Sequence, residues 1–262
     1  MSHRLVKAGR LAAAATALCA STFAGAAQVN LTITAQNLAP SNSISFAPLH
    51  FGVHNGSSFD AFNIGQVATA PIISVAEGGG GAAWQAAFAA ADPTATRGTI
   101  GMPLFPGMTR SLTVMVDTTI NPFFTFAAMA IPSNDFFIGN DSAIRLFNND
   151  GSLALTSINQ KARQIWDAGS EVLDPAAAAF VGNNSLRTPQ NSVVAFNFGE
   201  FHAYNGLTTA AGYTFNSQLT ADADVYRISF SAAAVPEPET YALMLSGLLV
   251  IGAIARRRRN QG

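Results

Sequence analysis

Alternation between apolar and polar positions is the clearest signal in this chain. Residues 29–34 change polarity at every step, and Leu112, Val114 and Val116 recur at every second position, which is the pattern of a strand with one buried face. Phe123–Ile131 is an apolar run interrupted by one polar residue, Thr125, which predicts a strand buried on both faces. Further strands are predicted at residues 44–53, 192–198 and 225–230.

Two short helices are predicted among these strands. Ala82–Ala91 follows a run of glycines and places Trp84 and Phe88 one turn apart. Asp174 and Pro175 are typical of the first positions of a second helix, as N-cap and first-turn proline. Parallel βαβ units need a longer helix between successive strands, and that pattern is missing. The sequence therefore predicts an all-β fold, an antiparallel β-sandwich with one or two short helices.

The N-terminal residues are typical of a secretory signal peptide. A basic segment at 1–10 precedes an apolar, alanine-rich segment at 11–20, and the small residues Ala24-Gly25-Ala26 supply the side chains that signal peptidase accepts. We therefore expect a signal peptide at residues 1–26, removed by signal peptidase. The single cysteine, Cys19, lies within it, and Leu18 before it argues against a lipoprotein anchor. The mature protein is then expected to contain no disulfide, thiol nucleophile or cysteine ligand.

The C-terminal segment, residues 235–262, has three parts. A Pro-Glu-Pro box at 236–238 is followed by an apolar run at 241–255 and by Arg256–Arg259. A helix of that run is about 22 Å long, short of the ~30 Å hydrocarbon core. The arginines place the tail end in the cytoplasm by the positive-inside rule. A weak permanent membrane anchor and a removable sorting signal both remain open.

This three-part order resembles the PEP-CTERM sorting signal. The resemblance implies processing by an exosortase-type enzyme in a Gram-negative, exopolysaccharide-producing bacterium. The expected course is export, an inner-membrane intermediate held by the C-terminal helix, and then the cell surface or extracellular matrix.

Composition and charge limit the function of the remaining domain, residues 28–234. The chain is 49% hydrophobic and only 11% charged, and it is rich in phenylalanine, which excludes a disordered chain. Residues 28–235 hold seven basic and thirteen acidic side chains, a net charge of −6. A nucleic-acid partner is thereby excluded, because a phosphate backbone requires a basic face.

No catalytic residues are predicted. The glycine run at 78–81 lacks the Gly-Lys-Ser/Thr of a phosphate loop, and no Gly-x-Ser-x-Gly nucleophile motif occurs. His50 and His54 share a strand face at an even spacing, but two histidines without a nearby carboxylate or thiolate make a poor zinc site. We expect them to be hydrogen-bonded structural residues.

Acidic side chains form two groups in aromatic-rich segments. The groups are Asp135, Asp141 and Asp150, then Asp167, Glu171 and Asp174. Clustered carboxylates repel one another unless a cation neutralises them, and calcium takes six to eight oxygens from such loops. Acids in solvated loops, with Asp174 only capping a helix, are the alternative. The spacing leaves both interpretations open.

Two segments resemble the paired signature of the spondin (spondin N-terminal) domain. They are Ile-Pro-Ser-Asn-Asp-Phe-Phe-Ile-Gly at 131–139 and Trp-Asp-Ala-Gly-Ser-Glu at 166–171. A softer match, Phe-Gly-Val-His-Asn-Gly-Ser, lies upstream at 51–57. The resemblance spans about residues 29–230 and implies an antiparallel β-sandwich of the type found in calcium- and phospholipid-binding domains.

The resemblance also implies a calcium ion at one edge of the sandwich. Carried over by motif, its ligands are Asp135, Asp167 and Glu171. The family typically has aspartate at the last position, so Glu171 implies a looser or shifted site. Asn134 replaces a proline of animal members. The cysteines of animal relatives are missing here, so their matrix partners do not transfer.

Two functional hypotheses follow. The first is a non-enzymatic, calcium-binding adhesion or matrix module that contacts extracellular polysaccharide or surface proteins. The second is a secreted glycan hydrolase of the exopolysaccharide matrix, with Asp135 and Glu171 as its carboxylate pair. A hydrolase needs an open cleft with carboxylates about 5 to 9.5 Å apart, whereas a metal draws them closer.

Overall fold

The computed structural model describes residues 28–56, 59–235 and 238–260. The predicted signal peptide and its cleavage position lie outside the described residues. The strands of the described residues are β1 (Gln28–Asn37), β2 (Ser45–Phe46), β3 (Leu49–His54), β4 (Thr96–Ile100), β5 (Thr109–Asp117), β6 (Phe123–Ile131), β7 (Phe136–Gly139), β8 (Ile144–Arg145), β9 (Ser157–Lys161), β10 (Trp166–Asp167), β11 (Ala195–Phe196) and β12 (Asp224–Ala234). The α-helices within the same described ranges are α1 (Ala70–Gly78), α2 (Ala82–Ala91) and α3 (Pro238–Arg259).

The strands form two antiparallel sheets. The smaller sheet has the order β5-β1-β12-β9. The larger has the order β11-β10-β7-β6-β3-β4, with β2 and β8 also paired to β6. Leu31 and Ile33 from the smaller sheet share one core with Phe124 and Phe126 from the larger. The predicted antiparallel β-sandwich is therefore confirmed.

The two faces of the smaller sheet differ because its strands alternate. The inner face is apolar, and the outer face carries short hydroxyl side chains in cross-strand rows. In two of these rows Thr32 lies opposite Thr113, and Thr34 opposite Ser111, with 2.8 Å between the hydroxyl oxygens in each pair. The outer members of these rows are Thr32, Thr34, Ser111, Thr113, Ser157, Ser229 and Ser231.

Strand β6 occupies the centre of the larger sheet and is buried on both faces, as its mostly apolar sequence predicts. Phe124 and Phe126 point into the sandwich, whereas Ala127 points to a second cluster beneath the helices. Helix α2 supplies Trp84 and Phe88 to that cluster. A Cβ at Gly52 would lie 2.3 Å from the Phe88 ring, so the close approach of α2 to β3 requires glycine there.

Several predicted elements differ from those observed. The predicted strand 44–53 is divided into β2 and β3, because Pro48 has no N–H to donate to the sheet. The predicted strand 192–198 is reduced to β11. Asp174 does cap a turn, accepting a hydrogen bond from the Ala176 N–H at 2.9 Å, but the turn is a short 3-10 helix at Pro175–Ala177. Helix α1 was not predicted.

The first and last strands of the sandwich lie side by side. Strands β1 and β12 are antiparallel neighbours, with Val29 opposite Ala234. The Val235 N–H also donates to the Gln28 carbonyl at 3.1 Å. The chain therefore enters and leaves the sandwich at the same point, and α3 follows directly.

Candidate functional site

The carboxylates predicted from sequence are brought to one region of the larger sheet. Asp135 directly precedes β7, and Asp167 ends β10 opposite Phe136 of β7. Glu171 follows β10 in the next turn. Gly169 has a left-handed φ of +66° in that turn, and a Cβ there would lie 2.8 Å from the Ser192 backbone, so glycine is required.

Asp135 is buried and holds the turn in place. Its Oδ2 accepts hydrogen bonds from the N–H groups of Ser170 at 2.7 Å and Glu171 at 2.9 Å. The Ser170 hydroxyl donates a third bond at 3.2 Å. Burial, reinforced by the nearby charge of Asp167, nevertheless raises the pKa of Asp135 to about 7. The side chain is only 2% exposed, so the ionised form has little access to water.

Asp167 lies closer to solvent than Asp135 and is linked to the carboxylate of Glu200 through the side-chain amide of Asn197. Its Oδ1 accepts from the Gly169 N–H at 2.7 Å, and its Oδ2 accepts from the Asn197 amide at 3.1 Å. The same Asn197 amide nitrogen donates to Glu200. Burial and the charge of Asp167 raise the pKa of Glu200. Glu200 thus belongs to this acidic region, although sequence reasoning did not select it.

The carboxylate of Glu171 pairs with the guanidinium of Arg187 and accepts a hydrogen bond from the side-chain amide of Asn134. Its Oε1 lies 3.2 Å from Nη1 of Arg187, and its Oε2 accepts from the Asn134 amide at 3.4 Å. Burial raises the pKa of Glu171, against the opposing effect of Arg187. Arg187 also donates to the Glu77 carbonyl at 2.9 Å, which ties the end of α1 to this region. Contact with Asp135 comes from the Glu171 backbone, whereas its carboxylate is turned to Arg187.

Asn134 connects the carboxylates to the sandwich core. Its Oδ1 accepts from the Tyr204 hydroxyl at 2.7 Å, and the Tyr204 oxygen accepts from the Asn134 N–H at 3.2 Å. Tyr204 is fully buried, and burial raises its pKa, so the phenol stays neutral. No local pattern in the sequence links Arg187, Glu200 or Tyr204 to the 131–139 segment, because the fold brings them together from distant parts of the chain.

The predicted calcium site depends on how these carboxylates are placed. Within residues 28–56, 59–235 and 238–260, no group of three or more His, Cys, Asp or Glu side chains is placed so that it could hold a metal ion. The arrangement as it stands does not fit a three-carboxylate calcium site, because the Glu171 carboxylate is paired with Arg187. The calcium site remains a prediction.

The two histidines are hydrogen-bonded, as expected from sequence. His50 contacts the Thr99 hydroxyl and the Gly79 carbonyl, both at 3.0 Å. His54 contacts the Thr125 hydroxyl at 2.9 Å and accepts from the Gly56 N–H at 3.1 Å. Burial lowers the pKa of both rings, so each favours its neutral form.

The second candidate functional segment is the C-terminal tail. Helix α3 spans Pro238–Arg259 and ends in four arginines. Its apolar side chains between Met244 and Ile254, among them Leu249 and Ile251, are well exposed to solvent, so this described part of the helix does not pack into the sandwich core. Among the described residues, no helix combines the length and the apolar character that a membrane crossing requires.

Comparison with protein families identifies this tail. Residues 234–259 match the PEP-CTERM protein-sorting motif. The match covers the PEP-CTERM segment alone, and no comparison supports the resemblance of residues 29–230 to spondin domains. A search of curated proteins gives no match. The PEP-CTERM segment marks an exported protein that exosortase processes and directs to the cell surface.

Proposed function

We propose that this protein is a non-enzymatic module of the bacterial cell surface or extracellular matrix, with an adhesive or matrix-building role. The observation that carries the proposal is the PEP-CTERM segment attached to a β-sandwich. The source is a Gram-negative, exopolysaccharide-producing bacterium, and the mature domain is displayed at the surface or released from it.

Burial of the acidic residues supports a non-enzymatic role. Asp135 is 2% exposed and Glu171 is 6% exposed. A glycan hydrolase needs both carboxylates to face a sugar across an open cleft. Asp135 is instead committed to the Ser170 and Glu171 N–H groups. These two residues therefore favour a structural role over the hydrolase alternative.

The outer face of the smaller sheet suits an extracellular partner. The Ser and Thr rows that include Thr32, Thr34 and Thr113 are short, uncharged and hydroxyl-bearing. Hydroxyl groups both donate and accept, so they match the hydrogen-bonding groups of neutral sugars or of surface proteins. Polysaccharide and surface proteins are thus the partner classes of the proposal.

Intact-mass analysis tests the sorting step. The protein recovered from the cell surface or medium should end upstream of Gly262, because the PEP-CTERM segment is removed. Replacement of Arg256–Arg259 by glutamine should leave uncleaved protein in the inner membrane, whereas Arg110→Gln in the sandwich should leave processing unchanged. A surface species that still ends at Gly262 would contradict removal and would favour a permanent anchor.

Calcium binding by Asp135, Asp167 and Glu171 is the second part of the proposal and rests on the spondin resemblance. It requires the Glu171–Arg187 pair to open, so that the carboxylate is freed for the cation. A cation bound only by the native state raises stability by about 2.7 kcal/mol at a hundredfold excess over its dissociation constant.

Melting curves in chelator and in millimolar calcium test this part. The wild-type curve should shift upward in calcium, and Asp167→Asn should abolish the shift without harming the calcium-free fold. Asp224→Asn, at an exposed carboxylate on β12, is the matched control and should keep the shift. Identical wild-type curves in the two buffers would refute calcium binding and would leave the sorting proposal intact.

A further inference from the structure

An apolar cavity lies outside the acidic region and is independent of the sorting segment. Its volume is about 200 Å³, and it opens to solvent beside β2 and the end of β6. Among the described residues that line it, Tyr213 is the only ionisable one, and burial raises the pKa of that phenol, so this lining is uncharged. A charged ligand would have no counter-ion here.

Aromatic and strained residues form the rim. Phe105 and Phe180 line the cavity and are 38% and 53% exposed. Phe180 has a left-handed φ of +63°, which is rare for a bulky residue. Met102, next to the lining residue Pro103, has a φ of +71° and is also exposed. Strained backbone of this kind persists at ligand sites, where it holds a side chain in a required position.

The size of the cavity limits its occupant. An apolar cavity of about 150 Å³ holds benzene in another protein. The present volume therefore accommodates one ring-sized apolar group with a small substituent, and it is below the range of about 300–1,000 Å³ that is usual for larger ligands.

The hydrogen bonds of the hydroxyl groups that line the cavity indicate whether the small substituent of a bound ring should donate or accept a hydrogen bond. The Tyr213 hydroxyl donates to the Ser43 carbonyl at 2.9 Å, so Ser45, whose oxygen lies 2.8 Å from that hydroxyl, must be the donor in their pair. The Thr209 hydroxyl donates to the Tyr213 carbonyl at 3.1 Å. All three hydroxyl protons are thus committed, whereas the Ser45 and Thr209 oxygens keep lone pairs. The cavity accepts hydrogen bonds and has no hydroxyl proton left to donate.

We propose that this cavity binds a small, uncharged molecule with a ring-sized apolar body and one hydroxyl group, which donates to the oxygen of Ser45 or Thr209. A simple phenol has this chemistry. The ring packs between Phe105 and Phe180, and the hydroxyl reaches the interior.

Isothermal titration calorimetry on the mature protein tests the proposal with 4-methylphenol and 4-fluorotoluene, which are similar in size but differ in the hydroxyl donor. Both should bind, and Ala211→Trp at the exposed rim should abolish binding by filling the opening. Ala90→Trp, exposed on α2 away from the cavity, is the matched control and should leave both affinities unchanged.

The ratio of the affinities for 4-methylphenol and 4-fluorotoluene tests whether the ligand hydroxyl donates to Ser45 or Thr209. Ser45→Ala combined with Thr209→Val should lower the preference for 4-methylphenol over 4-fluorotoluene by about two- to tenfold, the value of one neutral hydrogen bond. An unchanged ratio would overturn the role of these oxygens. Absence of binding up to the solubility limit, or binding that persists in Ala211→Trp, would overturn the site. Tighter binding of N-acetyltyrosinamide than of 4-methylphenol would overturn the small-molecule assignment in favour of a tyrosine from a partner protein.

Discussion

Replacing Asp135 by asparagine is expected to stabilise the fold at alkaline pH. The pKa of Asp135 is raised in the native state to about 7 by burial and by Asp167. A group whose native pKa is raised favours folding while it is protonated and loses that contribution as the pH rises through the native value. Asparagine keeps an oxygen for the Ser170 and Glu171 N–H groups but cannot ionise.

The size of the effect follows from the two pKa values. The ordinary value is 3.8 and the native value is about 7. At about 1.36 kcal/mol for each tenfold change in the ionisation constant, ionisation costs the native state about 4 kcal/mol above pH 7. About 2–3 kcal/mol of this loss falls between about pH 5 and about pH 8. Asp135 is 2% exposed, so solvent does not screen the cost.

Urea denaturation of wild type and Asp135→Asn at those two pH values measures this loss. In calcium-free buffer, the free energy of unfolding of the variant minus that of wild type should rise by about 2–3 kcal/mol from about pH 5 to about pH 8. His50 and His54 have lowered pKa values and destabilise the fold as the pH falls below about 6.5, but they are present in both proteins and cancel in the difference. A stability difference that is independent of pH would refute the argument.

Three further substitutions test the core, a buried hydroxyl group and a helix cap. Phe126→Ala should lower the free energy of unfolding by about 3–5 kcal/mol, because the side chain is fully buried on β6, and an unchanged melting temperature would contradict its place in the core. Tyr226→Phe should leave stability unchanged or raise it, since the buried hydroxyl has no hydrogen-bond partner among the described residues; a loss above about 1 kcal/mol in urea denaturation would contradict this. Asp174→Ala should cost about 1 kcal/mol by loss of its cap to Ala176, with or without calcium, and a cost only in calcium would make Asp174 a ligand.

Elements whose signal lies within a few residues could be predicted from the sequence. The alternation of β1 and β5, the apolar run of β6 and the bounds of α2 all follow from local spacing. Helix α1 could not, because the side chain of its N-cap residue, Thr69, forms no capping hydrogen bond and its apolar residues are also compatible with a strand.

The acidic region was only partly predictable, because its contacts join distant segments. The motifs placed Asp135 near Asp167, but nothing in the sequence shows that Arg187 takes the carboxylate of Glu171. That ion pair depends on how the 184–190 segment lies against the turn after β10. Pairings of this kind are decided by tertiary packing and not by spacing along the chain.

The adjacency of Gln28 and Val235 has a consequence for export. The predicted leader ends just before β1, and the PEP-CTERM segment begins at the end of β12. Since the two strands are hydrogen-bonded neighbours, we expect the sandwich to fold without the removal of either flanking segment. A cut after Ala26, as predicted, and a cut at the Pro-Glu-Pro box would both lie outside β1–β12, so we expect the same folded domain whichever enzyme acts first.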